Sequence, residues 1–395
     1  MRQELPMLTS IRGFAALIVS YFHARLVLFP QWKAGIAEST QFLEVGFIWV
    51  DLFFILSGYV MMHVYRESFQ SEVTFAKWRG FMWLRFSRIY PLFLTTLLVL
   101  VLWESYKYLN AMYFYGGPLL GSWGMNGAPA FEGPFNHLSA LLPNLFLVQG
   151  ISTHSSLSWN FPGWSLSVEW LSYMLFPMIV ALLGANAKRG VWLPVLMVVV
   201  FFSMANQFGT VDLTSGLNAL FRALCGFSLG MWLCLIQLPN WVKRLANNDV
   251  VMFSVVVAIV YLLHLGSDVR MSMLVYLLFA ILVLFGANQE VRKSLFLAIF
   301  ENRFTRFLGD ISYSVYLWHA VILLVGVEVM HQFMPNTLAL WYQQTGTGYL
   351  IAALVGYGVL MVAVSSLTYN FLEKPALKAL RNAANKRKRL NTANA

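Results

Sequence analysis

Residues 44–65 read EVGFIWVDLFFILSGYVMMHVY, a run whose interior carries one formal charge, Asp51. A bilayer core takes about 20 mostly apolar residues of helix, so this run has the length and composition of a span. Nine more apolar runs lie at 8–29, 89–104, 164–184, 191–206, 215–236, 249–265, 271–287, 307–328 and 348–371. One further stretch, 138–150 (LSALLPNLFLVQG), is too short to span and is interrupted by Pro143, so it reads as a re-entrant or interfacial segment. The chain of 395 residues is 59% hydrophobic and only 11% charged, against about 25% charged in soluble domains. Its mean hydropathy is +0.65. A soluble enzyme, a disordered chain and a secreted disulfide scaffold are excluded. The expected fold is an all-α polytopic membrane protein with about ten transmembrane helices.

Charge placement gives the orientation. With both termini cytoplasmic, the inner segments collect 22 of the 27 Lys and Arg residues, and the outer ones only Arg25, Lys33, Lys107 and Arg270. That is the positive-inside pattern; counting 138–150 as a span would invert every later loop. The formal charge of +10 therefore reads as topology and not as a nucleic-acid surface. The basic tail at 376–395, with Lys386-Arg387-Lys388-Arg389, reads as an anchor to anionic lipid. No cleavable signal peptide is expected, because Arg12 interrupts the first apolar run. Cys225 and Cys234 stand about 180° apart on a helix, so neither a disulfide nor a metal pair is expected. The one long loop, 105–163, is rich in Gly, Pro, Trp and Ser and should roof an outer opening and select the acceptor.

A charge inside a span costs about 2.5–3.5 kcal/mol on insertion scales, so each is a functional candidate. The candidates are Arg12, His23, Asp51, Glu169, Arg222, Asp310 and His319. Arg12 and His23 share a helix face about 16 Å apart along the axis, since eleven residues make three turns plus about 20°. Counted from the span ends, His23, Asp51, Glu169, Arg222 and His319 fall in one layer in the outer half of the membrane. Arg12, Arg85, Arg88, Arg303 and Arg306 form a basic layer at the cytoplasmic face. A neutral imidazole beside a carboxylate can take a proton from a hydroxyl, and a basic mouth suits a phosphate-bearing donor. Group transfer from a cytosolic carrier to an outer hydroxyl fits these residues. A proton-coupled transporter of acyl or sugar groups uses the same residue types and stays open.

Several motifs in order resemble the acyltransferase 3 family of integral membrane acyltransferases. They are Arg12 followed by His23, FIWVDLFFILSGYVM at 47–61, RFSRIYP at 85–91, NFPGWSLSVEWLSYMLFP at 160–177, LGDISYSVYLWH at 308–319 and EKP at 373–375. The resemblance runs from about residue 5 to 375, giving a transmembrane domain at 1–375, and it fits the stand-alone members without an SGNH-type domain. It implies a bacterial inner-membrane O-acyltransferase that moves an acyl group, most simply acetyl, from cytoplasmic acyl-CoA to a hydroxyl of a glycan or lipid-linked sugar. A succinyl donor or a non-sugar acceptor is the variant of that reading, and no metal is implied. His23 matches the family's essential histidine, with Asp51 and Glu169 as catalytic companions. Arg12, Arg85 and Arg88 would meet the CoA; Asn160, Trp164, Ser165, Arg222 and His319 would meet the reacting groups. Glu169 could alternatively form a structural ion pair with Arg222, which is also the cation an anionic acyl group would need. Asp310 and Ser312 read as caps of the ninth helix.

Overall fold

The computed structural model describes residues 5–393 other than 71, 185, 267 and 291, with side chains as far as 384. The side chains of Lys386-Arg387-Lys388-Arg389, and residues 394–395 of the expected tail, lie outside the described part. Ten long helices form the body: α1 (Pro6–Val27), α2 (Trp49–Gln70), α3 (Phe75–Leu109), α4 (Gly163–Leu183) and α5 (Trp192–Phe208), then α6 (Gly216–Leu233), α7 (Asp249–Leu265), α8 (Val269–Ala287), α9 (Ser312–Phe333) and α10 (Thr347–Thr368). Nine segments among the described residues are long and apolar enough to cross a bilayer; a tenth pairs Asn240–Ala246 with α7 across a 64° bend. The protein is an integral membrane protein built of helices, as a bilayer interior demands of any chain that must satisfy its own backbone. No strand forms among the described residues; only two isolated bridges occur.

Boundaries moved where charge and not apolarity continues a helix. The run expected at 89–104 is the middle of α3, whose 35 residues extend about 52 Å. Its first turns carry Lys77, Arg79, Arg85 and Arg88, good helix formers that keep the helix going beyond hydrocarbon. The chain's first helix residues, the 72–74 connection and the start of α3 share one end of the bundle, called here the basic end. The loop 110–162 occupies the other.

Close backbone approach sets the central pair. A Cβ added at Gly230 of α6 would stand 2.0 Å from the Ile55 carbonyl oxygen of α2, so only glycine lets these helices touch there. The same holds where Gly309 meets the Thr9 carbonyl oxygen of α1, again 2.0 Å from an added Cβ.

The segment 138–150, expected to be re-entrant or interfacial, runs into the bundle, and the chain turns back over 151–162. Two short helical turns, Leu138–Ala140 and Leu141–Leu145, carry it inward. The Tyr90 hydroxyl donates to Leu145 O at 3.0 Å, about 28 Å of helix below Leu109, the end of α3 away from the basic end. The chain then turns back: Ser167 Oγ donates to Leu147 O at 2.9 Å, and Gln149 Nε2 to Gly163 O at 3.0 Å. Asn160 Nδ2 donates to Thr96 Oγ1 at 3.0 Å and to Leu317 O at 3.1 Å. Thr96 lies about 20 Å below the end of α3, so α4 begins inside the bundle and not at its surface. Above it, Lys107 bridges Glu104 (2.7 Å) and Glu328 (2.9 Å), all three buried. Those carboxylates hold the loop through Phe131 N, Asn136 Nδ2 and Tyr115 N.

Gly230→Val should force α2 and α6 apart and cost about 3 kcal/mol, the upper end for overpacking. Thermal unfolding in detergent checks it, with Gly35→Val, where an added Cβ meets nothing within 4 Å, as the neutral control.

Candidate active site

Five helices enclose a cavity of about 430 Å³. They touch in a closed ring, α1–α2–α4–α3–α9 and back to α1. At the basic end the cavity is bordered by Leu5, His63 and Val64; at its inner end it reaches Val50, Phe53, Ser165 and Tyr316. Arg12, Arg85, Arg88 and Glu169 stand in its walls.

Each cation is held differently. Arg12 donates from Nε to Ser312 Oγ at 3.0 Å and from a terminal nitrogen to Gly309 O at 3.2 Å. Those acceptors exist because the ninth span is broken: a short helix, Arg303–Asp310, ends at Ile311 before α9 starts. The expectation that Asp310 and Ser312 cap α9 is corrected here. Ile311 is the cap residue and no side chain caps it; Asp310 ends the short helix, and Ser312 serves Arg12 and Gly309. Arg85 donates to Tyr65 Oη at 2.6 Å and to Met61 Sδ at 3.4 Å, while its buried Nε has no partner. Arg88 pairs with Glu373, the acid of the EKP motif, which also accepts from Ser314 Oγ at 2.8 Å.

Glu169 lies with these cations and not with the histidines. It accepts from the Tyr173 hydroxyl, which is itself 2.9 Å from Ser57 Oγ. A depth count from the membrane edge put it in an outer-half layer with His23, Asp51, Arg222 and His319; the deep start of α4 lowers it, and the single layer resolves into separate sites. Its alternative reading as a partner of Arg222 is also overturned, because Asp51 takes that place.

Above the cavity, His23 and His319 stack with ring centroids 5.1 Å apart. His23 Nδ1 lies 3.0 Å from Val19 O, and His319 Nδ1 lies 3.2 Å from Val315 O. A carbonyl oxygen only accepts, so the network assigns the proton of each neutral ring to Nδ1. His319 Nε2 then shares the His23 proton at 3.2 Å. His23 Nε2 is left as the basic lone pair. His23 is half-buried and His319 fully buried, so the accessible ring of the pair is His23.

The other expected site residues separate from this pair. Arg222, with 0% exposure, gives all five N–H groups to protein: Asp51 Oδ1 at 2.9 Å and Oδ2 at 2.8 Å, Asp212 Oδ1 at 2.9 Å, Leu213 O at 3.4 Å and Phe47 O at 3.2 Å. Its guanidinium carbon stands 5.3 Å from the centre of the Trp164 ring. Asp51, Arg222 and Trp164 thus form a buried ionic junction of α2, α6 and α4, with no donor left for an anionic acyl group. Asn160 anchors the re-entrant corner. Ser165 Oγ lies 3.0 Å from Pro162 O and 2.6 Å from Tyr316 Oη. Ser57, Tyr173, Tyr316 and Glu373 were not singled out from sequence. The first three are neutral and register as span residues, and Glu373 lies beyond the last apolar run, with only its place in EKP as a signal.

A family model described as an acyltransferase domain matches residues 7–370. The chain belongs to the acyltransferase 3 family. Within that family it is 32% identical over 192 residues to acyltransferase MdmB of Streptomyces mycarofaciens, covering 48% of this chain and 42% of that one. It is 22% identical over 400 residues to the peptidoglycan O-acetyltransferase OatA of Listeria monocytogenes, covering 95% of this chain and 56% of the relative. The acyltransferase 3 chain thus spans about half the length of these curated relatives. No solved structure matches it.

Asp51→Ala should leave the Arg222 charge buried and short of a partner, a loss of about 3–5 kcal/mol. Chemical or thermal unfolding of the purified variant measures it; a fully stable but inactive Asp51→Ala would return Asp51 to the catalytic group.

Proposed function

We propose that this protein is a membrane O-acyltransferase that moves an acetyl group from acetyl-CoA to a hydroxyl of a glycan or lipid-linked sugar on the opposite side of the membrane. The observation that carries the reading is a cation-walled cavity from the basic end that stops one aromatic ring short of a histidine with an unused basic nitrogen. Membership of the family and the O-acetyltransferase name of one relative support it.

The residues present fit the donor. Arg85 keeps a buried, unpartnered N–H, and Arg12 and Arg88 line the same cavity, so phosphate oxygens at the basic mouth would meet donors of the right charge. Beyond the cations the cavity is lined by Phe53, Phe54 and Tyr316. With the basic end cytoplasmic, as the charge asymmetry suggests, the donor enters from the cytoplasm and the acceptor from the side of loop 110–162. His23 Nε2 takes the hydroxyl proton as the acceptor oxygen forms the new C–O bond. The thioester C–S bond breaks, and the thiolate leaving group receives the proton that His23 took up, which returns the ring to its neutral form. The backbone carbonyl of Val19 and the ring of His319 keep His23 in the tautomer this needs. The saturated coordination of Arg222 favours a neutral acetyl group over a succinyl one.

Purified protein in proteoliposomes with radiolabelled acetyl-CoA and a cell-envelope glycan acceptor tests the reading. His23→Ala should lower transfer by about 10²–10⁴-fold, the usual share of a general base, with the fold intact. Arg85→Ala should raise KM for acetyl-CoA about tenfold or more, the loss of a charge-assisted hydrogen bond, with a smaller change in kcat. Undiminished transfer by His23→Ala would sink the mechanism, and substrate flux without CoA release would replace the enzyme by a transporter.

A further inference from the structure

We propose that Tyr316 determines which acyl chains the enzyme accepts, because its ring closes the donor cavity immediately below the histidine pair. The inference rests on the acyltransferase reading of that cavity. Tyr316 is buried and lines the inner end of the cavity. Its hydroxyl stands 2.6 Å from Ser165 Oγ and donates to Pro162 O at 3.2 Å. Ser165 belongs to α4, Pro162 to the corner of the re-entrant segment and Tyr316 to α9. The hydroxyl therefore ties the ring across the top of the cavity from one wall to the other.

The ring itself is wedged edge-on between Phe53 and His319, each at a centroid distance of 5.7 Å. Phe53, Tyr316, His319 and His23 make a continuous file of rings from the cavity wall to the base. For transfer, the thioester carbon must come within reach of the oxygen that His23 activates. The chain beyond that carbon then has to lie where Phe53 and Tyr316 already fill the space. A methyl group asks little of that packing; each added methylene presses on a ring that two hydrogen bonds hold in place. Ser165 acts through Tyr316 and is a positioning residue.

The test compares CoA release from acetyl-, propionyl- and butyryl-CoA by the parent protein, Tyr316→Ala and Ser165→Ala in proteoliposomes, with acetyl-CoA binding to each measured by calorimetry. The parent should prefer acetyl over butyryl by at least about 10–200-fold, the discrimination one methylene gives in a fitted pocket. Tyr316→Ala should reduce that preference about tenfold or more while still binding acetyl-CoA measurably. Ser165→Ala, which keeps the ring but frees one side of it, should move the ratio in the same direction by less. If Tyr316→Ala fails to fold, Tyr316→Leu and Ser165→Ala read the same ratio. An unchanged acetyl-to-butyryl ratio in folded, CoA-binding variants overturns the role of Tyr316 and leaves the acyltransferase reading standing. A parent protein that binds no acetyl-CoA and releases no CoA overturns both.

Discussion

A guanidinium inside hydrocarbon has no water to turn to, and Arg222 meets that demand by taking every one of its five hydrogens to protein oxygen. Its partners come from the start of α2, from the connection before α6 and from the backbone at Phe47. To bring them together, α2 and α6 must lie almost backbone to backbone, and the glycine at 230 permits it. Trp164 covers the remaining face of the guanidinium, which fixes the first turn of α4. One buried ion pair therefore places three of the helices around the site; two of them, α2 and α4, are walls of the cavity. The pair need not be net stabilising compared with an apolar core; what it costs to break is what makes the arrangement unique.

The second organising feature is the re-entrant segment. A backbone that leaves helical geometry inside a bilayer has to be enclosed by protein, and here Tyr90, Thr96, Gln149, Asn160 and Ser167 supply the donors and acceptors. Because the segment descends before α4 begins, the WSLSVE residues sit at two different levels. Trp164 and Ser165 face the ionic junction and Tyr316, while Glu169, about 9 Å further along the helix axis than Gly163, faces the basic walls. The descent separates chemistry that a surface-starting α4 would have kept in one layer.

Division into two compartments follows. Below Tyr316 lies a cavity whose walls carry three arginines and a carboxylate; above it lies a pair of neutral imidazoles locked by backbone carbonyls. Arg12 and His23, on one face of one helix, belong to opposite sides of that partition. Glu104, Lys107 and Glu328 play no part in either compartment. They clasp the loop 110–162 to α3 and α9 through buried ion pairs.

Hydropathy was sufficient to count the spans, to mark 138–150 as too short to cross, and to place Arg12 and His23 on one face. Each of these is a local property: the free energy of moving a window of residues into hydrocarbon, or the 100° step of a helix. The pairing of charges was not local. Asp51 and Arg222 are 171 residues apart in sequence, and Glu169 was as plausible a partner until the start of α4 was known. Ser312 looked like a cap because serine at a helix start usually is one, but a neighbouring helix brought Arg12 to it first. His319 became the partner of His23, and Tyr316 the barrier between donor and base, because the ninth span breaks at Ile311 and α9 starts there against α1. The sequence by itself determined what enters the membrane and which residues are chemically able to act. Tertiary structure alone decided at what depth each one stands and which neighbour holds it, since depth depends on where a loop turns back and partnership on which helix faces touch.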